Sequence, residues 1–584
     1  MSRRLRCVAF IAVFILLTLS FHSARSQKDK KPANSQEIEP SFWVDQARKR
    51  LQKTKDHLGL PGKPAKNVIL FLGDGMGIST VSASRFYKTE VEGRLGSVTP
   101  ELEFEGWPFH TLVRTYDLNS VVTDSASSAT AYLGGTKTTT GIIGLTGFVK
   151  PKECREYKED EKVESVLKAA IRTKRATGIV TSTRITHASP AGAYSHAASR
   201  YWESDKSVKV DCGFVTNPPK DLALQLIEDN PDINVILGGG YRNFYPVGAN
   251  GNRTDGRNLP EEWLKSKRKD GHSAAFVNDS REFLKSDYSK VDYLLGLLTP
   301  SHMPFEADRA EGEASLADMT AVAIKLLSRQ PNGFFLFVEG GRIDHAHHNN
   351  LGKKALIDTL AFEKAIRKAT ELVDLEETLL IVTADHSHSF QLVGQPSRLK
   401  SLLDLDEEYD IYIADKKGMT PMLYSSGPSA AINSSRANLH LLNATIHNKN
   451  FSIPSLVPLP WATHSGEDVG VYATGAFSRL FHSTVDNTFI ANAIKFAMCL
   501  PPFEKQADSS YPLNGKKPVD SFDHVKPTYL EQLISKSPTS MFPPGLPVKK
   551  TVKPVPTPIV EDTCLVQIVI KLERSYSLFY LSKP

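Results

Sequence analysis

The chain has 584 residues, of which 40% are hydrophobic and 23% are charged. This composition is ordinary for a soluble globular protein and excludes disorder along the whole length. Length alone would suggest several domains, but α/β proteins often carry one very large sheet domain, so the domain count stays open.

The first 26 residues have the features of a secretory signal. Arg3, Arg4 and Arg6 precede an apolar run over residues 8–21, and Ala24 and Ser26 flank a small-x-small cleavage site. The run has about 14 residues and a membrane span needs about 20, so a signal peptide at 1–26 is favoured over a membrane anchor. Its removal lowers the formal net charge from +6 to about +2, which gives no electrostatic case for nucleic acid or an anionic membrane as partner.

Secretion would place the cysteines in an oxidising compartment, where disulfides persist. Outside the signal, four cysteines permit three pairings that spacing does not distinguish: Cys154, Cys212, Cys499 and Cys564. Sequons of the form N-x-S/T agree with secretion and predict exposed loops at Asn252, Asn278, Asn433, Asn443 and Asn450. We therefore expect an extracellular glycoprotein, either secreted or at the cell surface.

Short apolar runs alternate with amphipathic stretches through the middle of the chain. A helix-like pattern over 42–58 is followed by a Gly/Pro-bearing boundary at 60–64. Apolar runs that predict buried strands lie at residues 67–72, 178–181, 234–237, 334–338 and 379–383. Helical stretches such as 163–173 and 355–372 separate them. The pattern predicts an α/β fold with a large central, mostly parallel sheet flanked by helices.

Two segments lack this alternation of apolar runs and amphipathic stretches. Residues 400–460 lack it and carry three of the sequons, so we expect an inserted surface subdomain there. From 501 to 584 proline and lysine accumulate, which is typical of a linker or tail.

Acidic side chains follow or end three of the predicted strands. Asp74 follows the first, Glu339 the fourth and Asp385 the fifth. The carboxyl ends of parallel strands form the ligand crevice of an open α/β sheet, so these distant segments can meet at one site. Asp74 taken alone is equally a turn former, and Glu339 has the same ambiguity. Together they supply the oxygen ligands that magnesium prefers.

Clusters of histidine and carboxylate predict zinc ligands. If residues 341–348 open a helix, Asp344 and His348 lie four apart on one face and can share a metal. Histidines on helices are more often solvated or hydrogen-bonded, so this cluster is weak support alone. The segments at 385–388 and 463–468 strengthen it, because carboxylate and imidazole together suit zinc.

Ser125 lies at the start of a predicted helix that is rich in small residues. Backbone N–H groups and the helix dipole favour a phosphate there. A helix cap by Asp124 or Ser125 without chemistry is the alternative, and it fits this stretch alone better. Serine is a weak nucleophile at neutral pH, so catalysis would need a base or a metal at its oxygen, and a pair of zinc ions meets that need.

Six strings give the chain its resemblance to animal alkaline phosphatases. They occur in that family's order: FLGDGMG at 71–77, DSA at 124–126, HASPAG at 187–192, VEGGRIDH at 338–345, TADHSH at 383–388 and THSGED at 463–468. The match covers residues 40–500, which would be the catalytic domain, with 400–460 as its crown-like insertion. The resemblance implies hydrolysis of small phosphate monoesters, a homodimer, and dependence on two zinc ions and one magnesium ion.

The resemblance also implies a role for each matching residue. Ser125 would form a phosphoserine intermediate, Arg200 would bind the phosphate, and Asp124 would orient that arginine. A surface salt bridge is the alternative for Arg200. The first zinc would be held by Asp344, His348 and His464, and the second by Asp74, Asp385 and His386. Magnesium would be held by Asp74, Ser189 and Glu339, with His187 nearby and His388 just outside the second zinc.

Some positions depart from the family. Thr299 stands where vertebrate members carry a glutamate of an additional calcium site, so we do not expect that site. Cys154 and Cys212 fall where the family forms a disulfide, whereas Cys499 lacks the usual close partner and has only Cys564 downstream. The charged C-terminus does not support a glycolipid anchor and leaves membrane attachment open.

Two classes of protein other than a monoesterase could carry these motifs. A diesterase or sulfatase belongs to the same superfamily, but the Arg200 and magnesium-ligand matches favour monoesters. A catalytically silent surface glycoprotein that keeps metals for stability belongs to another class, and it would not need a nucleophile, an arginine and every metal ligand together.

Overall fold

The computed structural model describes residues 35–58, 64–97, 100–213 and 215–503. These lie in the first of two units, Met1–Pro512, and the second, Leu513–Pro584, lies outside the described residues. The signal peptide at 1–26 and nearly all of the tail at 501–584 also lie outside them, so both stay predictions. No described helix is both long and apolar enough to cross a membrane.

Fifteen strands occur in the described part of the chain. In chain order they are β1 (Asn67–Gly73), β2 (Phe109–Arg114), β3 (Ala176–Arg184), β4 (Val235–Gly239), β5 (Ala274–Val277), β6 (Tyr293–Leu297), β7 (Phe334–Gly340), β8 (Thr378–Ala384), β9 (Ser387–His388), β10 (Phe390–Leu392), β11 (Met422–Gly427), β12 (Ser455–Pro458), β13 (His464–Ser465), β14 (Val469–Gly475) and β15 (Val485–Asp486).

Ten of these strands form one sheet, in the order β15-β2-β14-β8-β1-β7-β3-β4-β6-β5. The run from β8 to β5 is parallel throughout, and β14 is antiparallel to both of its neighbours. Strands β1, β7 and β8 are buried at nearly every residue, so both faces of the sheet are covered. The predicted α/β fold with a mostly parallel sheet is confirmed, and all five predicted strands belong to it.

Helices connect and cover the strands. The α-helices of the described residues are Pro40–Leu58, Ile78–Val91, Ser125–Ala129, Val166–Arg172, Ala188–Ala191, Asp205–Cys212, Leu222–Glu228, Leu259–Lys269, Ser280–Lys285, Leu316–Leu327, Arg342–His348, Gly352–Leu372, Glu407–Asp410, Asn443–Ile446 and Asn487–Ala497. Short 3-10 turns lie at Ser35–Ile38, Glu103–Gly106, Glu159–Glu161, Tyr241–Asn243, Val247–Ala249, Glu306–Asp308, Leu439–Leu442 and Ser478–Leu480, and a π turn at Thr130–Gly134. The three helices predicted at 42–58, 163–173 and 355–372 are present with shifted ends.

A small sheet lies in and just before the segment predicted as an insertion, since β10 at Phe390–Leu392 precedes residue 400. Strands β10, β11 and β12 form this small sheet, separate from the large one. The chain enters the segment from β9 and leaves it at β13, and these two strands pair antiparallel, with His388 opposite His464. The exact limits of 400–460 stay a prediction.

A disulfide joins Cys154 to Cys212, with a Cα–Cα distance of 5.5 Å. It ties the loop that follows the Ser125 segment to the helix Asp205–Cys212, across 58 residues of sequence. The family pairing of these two cysteines is confirmed. Cys499 is described but Cys564 is not, so their pairing stays open.

Replacing both bridged cysteines by serine should lower the free energy of unfolding by about 2–4 kcal/mol, because the unfolded chain regains loop entropy. Guanidinium unfolding followed by far-UV circular dichroism measures this. Cys499→Ser is the matched control, and we expect it to leave the midpoint unchanged. A comparable loss in that control would indicate a second bridge to Cys564.

Candidate metal centre and nucleophile

The register of the sheet brings three acidic positions together. Gly73 at the end of β1 lies beside Gly340 of β7 on one side and Ala384 of β8 on the other. Asp74 and Asp385 are the next residues after these strand ends, and Glu339 is the residue before Gly340. Because the three strands are parallel, their carboxyl ends share one edge, and the acids meet there.

Asp344 lies among three imidazoles. It is four residues before His348 on the helix Arg342–His348, and its Oδ2 lies 3.3 Å from His348 Nε2. Its Oδ1 lies 3.6 Å from His464 Nε2, and the two Nε2 atoms of His348 and His464 are 3.3 Å apart. His388 Nε2 also contacts Asp344 Oδ1. Asp344, His348 and His464, the residues predicted for the first zinc, therefore lie together. The four residues whose ligand atoms all lie within 4.8 Å of one another are Asp344, His386, His388 and His464, so the structure places His388 in the first group, whereas we expected it just outside the second zinc.

The histidines are oriented by backbone carbonyls. His348 Nδ1 is 2.7 Å from Ala462 O, His464 Nδ1 is 2.9 Å from Thr123 O, and His386 Nδ1 is 3.1 Å from Ser387 O. A hydrogen on each Nδ1 leaves the Nε2 lone pair free for a metal. Burial lowers the pKa of His386 to about 4 and that of His464 to about 3, so both rings are neutral near pH 7.

Two further groups share Asp74. Asp74, Asp385 and His386 bring ligand atoms within 4.8 Å of one another, and His386 Nε2 lies 3.2 Å from Asp385 Oδ2 and 3.5 Å from Asp74 Oδ1. This matches the predicted second zinc set. Asp74 also groups with Glu339 and His187, so His187 is placed as a candidate ligand of the third site.

Several buried oxygens of these groups have no hydrogen-bond partner in the described part of the chain. Neither oxygen of Asp74 has a hydrogen bond among the described residues, and the same holds for Asp385 Oδ2, Glu339 Oε1 and Ser189 Oγ. Burial raises the pKa of Asp385 to about 6 and that of Glu339 to about 7; burial and the charge of Asp385 raise the pKa of Asp74 well above its usual range. Orphaned, fully buried anions are costly, and cations would satisfy them. The residues present therefore fit a centre that holds metal ions.

Ser125 opens the helix Ser125–Ala129 and lies in this centre. Its Oγ is 3.3 Å from His386 Nε2, and its side chain is buried. Asp124 caps the same helix, because its Oδ1 accepts from Ser127 N–H at 3.0 Å. Asp124 therefore caps the helix while Ser125 lies in the centre. The local sequence pattern had indicated a helix cap without chemistry.

Arg200 reaches the centre from the loop after the Ala188–Ala191 helix. Its Nη1 donates to Asp124 Oδ2 at 2.9 Å, and its Nη2 lies 3.3 Å from His187 Nε2. Burial raises the pKa of Asp124, but the charge of Arg200 and hydrogen bonds from Ser127 and Gly141 more than offset this, and the net pKa is below its usual range. Asp124 therefore stays ionised beside the guanidinium. The surface alternative for Arg200 does not apply, since the pair is mostly buried.

Comparison with known proteins identifies the family. A family model described as alkaline phosphatase matches residues 65–500. An alkaline phosphatase of Gadus morhua is 39% identical over 479 residues, which cover 80% of this chain and 98% of that protein. The chain belongs to the alkaline phosphatase family. The human tissue-nonspecific isozyme is also 39% identical, over 80% of this chain and 89% of its own length. The chain is thus a phosphatase that acts on phosphate monoesters.

A solved family structure shows the same fold. The alkaline phosphatase of Thermus thermophilus superposes with a TM-score of 0.55 at 23% identity and covers 75% of this chain and 92% of its own. A second, from the Antarctic bacterium TAB5, gives 0.51 at 23% identity, with 75% and 99% covered.

Thr299, where the resemblance led us to expect no calcium ligand, takes part in a local hydrogen-bond network. The Thr299 hydroxyl donates to the carbonyls of Ser301 at 2.9 Å and His302 at 3.1 Å. The three ligand groups found in the described residues all lie in the centre around Asp74 and Asp344. The lack of a calcium site stays a prediction.

A chelator should lower the melting temperature of the protein, and by more at pH 8 than at pH 5. Asp385 and Glu339 have raised pKa values in the metal-free fold, so both are largely neutral at pH 5. Their burial then costs the fold little free energy. At pH 8 they are buried anions without cations, and the metal-free fold is destabilised. Calorimetry with and without chelator at both pH values measures the difference.

Glu339→Gln provides the matched variant for this measurement. The glutamine side chain stays uncharged at both pH values. The difference between pH 5 and pH 8 in the melting-temperature shift caused by the chelator should therefore be smaller. Equal shifts at pH 5 and pH 8 in the unmodified chain would contradict the interpretation.

Proposed function

We propose that the chain hydrolyses small phosphate monoesters through a phosphoserine at Ser125, in a centre that holds two zinc ions and one magnesium ion. The observation that carries this is the position of Ser125 Oγ, 3.3 Å from His386 Nε2 and buried where the ligand groups converge. The histidine-rich group around Asp344 favours zinc. The other two groups each have two carboxylates and one imidazole, and the family resemblance supports zinc at Asp385 and His386 and magnesium at Glu339, where Ser189 would add a further oxygen.

When bound, the metal ions would supply positive charge for the entering and leaving oxygens of an in-line displacement. Ser125 Oγ forms the bond to phosphorus while the bond to the ester oxygen breaks, and the alcohol leaves with a proton. Water then attacks the phosphoserine, which restores the Ser125 hydroxyl and releases inorganic phosphate. Arg200, fixed by Asp124, offers two N–H groups to phosphoryl oxygens in both steps.

A monoester fits this site better than a diester or a sulfate. A phosphate monoester carries two negative charges at alkaline pH, and Arg200 adds a permanent positive charge beside the metal ligands. A silent glycoprotein would not need Ser125 buried against His386 or Arg200 held by a buried carboxylate. Comparing the turnover of a monoester with that of a diester distinguishes a monoesterase from a diesterase.

Ser125→Ala should reduce kcat at least about a thousandfold, because no other hydroxyl replaces the nucleophile. Acid quenching with a ³²P-labelled monoester should label the unmodified chain and leave the variant unlabelled. Ser128→Ala is the matched control: its buried hydroxyl has no hydrogen-bond partner in the described residues. Labelling of the Ser125→Ala chain would refute the assignment of the nucleophile.

We also propose that the protein is secreted, glycosylated and homodimeric. The signal-like residues 1–26 and the disulfide between Cys154 and Cys212 support secretion. Homodimerisation is supported by the family alone.

Among the sequons whose side chains the structure describes, glycans should occupy the exposed ones, which are Asn278, Asn433 and Asn450; the side chain of Asn443 lies outside the described part. Asn252 is only partly exposed, and its Nδ2 donates to Asn243 Oδ1 at 2.9 Å, so it should stay unmodified. Glycopeptide mass spectrometry of protein secreted from animal cells, with and without glycosidase treatment, tests both statements. Full occupancy at Asn252, or none at the other three, would contradict them.

A further inference from the structure

The carboxylate that clamps Arg200 is itself held by residues outside the metal centre. Asp124 Oδ2 faces the guanidinium, whereas Asp124 Oδ1 faces the protein. Asp124 Oδ1 accepts from Ser127 N–H at 3.0 Å, from Ser127 Oγ–H at 2.7 Å and from Gly141 N–H at 3.1 Å. One oxygen is therefore reserved for the arginine and the other is anchored.

Asp117 contacts Ser127, which is one of these anchors, and Thr140, which directly precedes the other, Gly141. It is a buried carboxylate whose Oδ2 accepts from the Thr140 hydroxyl at 2.7 Å and lies 3.1 Å from Ser127 Oγ. Its Oδ1 accepts from the backbone N–H groups of Asn119 at 3.0 Å and Ser120 at 2.7 Å. Asp117 is thereby fixed in its own turn and can hold both hydroxyls in place.

The same loop holds the main chain of Arg200. Gly141 follows Thr140 and has a φ of +83°, which favours glycine. Its N–H donates to Asp124, and its carbonyl accepts from Arg200 N–H at 2.8 Å. A closed ring of contacts results, which passes through Asp117, Ser127, Asp124, Arg200, Gly141 and Thr140.

We propose that Asp117, Ser127 and Thr140 are positioning residues for the arginine that binds phosphate. We call these three residues the brace. They touch neither the phosphoryl group nor a metal ligand of the proposed centre; they act on Arg200 through Asp124 and Gly141. An arginine that pairs two of its N–H groups with phosphate gains affinity when its plane is fixed beforehand, because less conformational entropy is lost on binding. The inference rests on the proposed function, since it assigns Arg200 to phosphate.

The inference predicts a selective loss of phosphate affinity. Thr140→Val and Ser127→Ala each remove one brace hydroxyl with little change in volume. We expect the inhibition constant of inorganic phosphate and the KM of a monoester to rise about three- to tenfold, and kcat to change less than about twofold. Ser127→Thr keeps the hydroxyl and should restore most of the affinity. Steady-state kinetics of the full chain loaded with zinc and magnesium give all three constants.

A double-mutant cycle separates positioning from general stability. In an Arg200→Ala background, Thr140→Val should no longer change phosphate affinity, because the group that it positions is gone. Ser128→Ala, on the same helix, should change nothing in either background. An unchanged inhibition constant in both brace variants, or an equal change with and without Arg200, would overturn the inference.

Calorimetric titration with inorganic phosphate keeps the inference distinct from the proposed function. It measures binding without turnover. An unmodified chain that bound phosphate but hydrolysed no monoester would refute the proposed function. The phosphate affinities of the brace variants would then test the role of the brace without turnover. Turnover by the unmodified chain with no affinity difference among the variants would refute only the brace.

Discussion

The structure depends on a concentration of buried negative charge that the protein itself does not neutralise. Asp74 is fully buried, neither of its oxygens has a hydrogen bond in the described residues, and Asp385 and Glu339 leave one oxygen each in the same state. Uncompensated buried carboxylates cost several kcal/mol each. Binding of cations would therefore stabilise the fold, and the family assignment explains why the chain retains such groups.

The parallel sheet explains how such a centre is assembled from distant sequence. Strands β1, β7 and β8 are adjacent and in register, so the residues at their carboxyl ends meet whatever the lengths of the intervening segments. His348 comes from the short helix directly after β7, and His464 arrives from beyond the insertion. Strands supply the position of each acid, and backbone carbonyls supply the orientation of each ring.

The sequence predicted five buried strands of the large sheet and missed the short buried strand β6 as well as the half-buried strands β2 and β14. β1, β3, β4, β7 and β8 are continuous apolar runs, whereas β2 and β14 alternate between buried and partly exposed residues and give no such run. Asp74, Ser125 and Arg200 were predicted from their motifs, because local pattern alone fitted a turn equally well at Asp74, fitted a cap better at Ser125 and left a surface salt bridge as the alternative for Arg200. Asp117 and Thr140 went unnoticed, because a turn aspartate and a loop threonine carry no signal until Arg200 is seen beside them.

Pairing of β9 with β13 closes the insertion at its base. His388 and His464 lie opposite each other on these strands, so the chain leaves the large domain and returns to it at neighbouring points. Whatever length of polypeptide is looped out between them, the spacing of the two rings is set by two backbone partners and not by the loop. The insertion can therefore vary in length and sequence while His464 keeps its place in the centre.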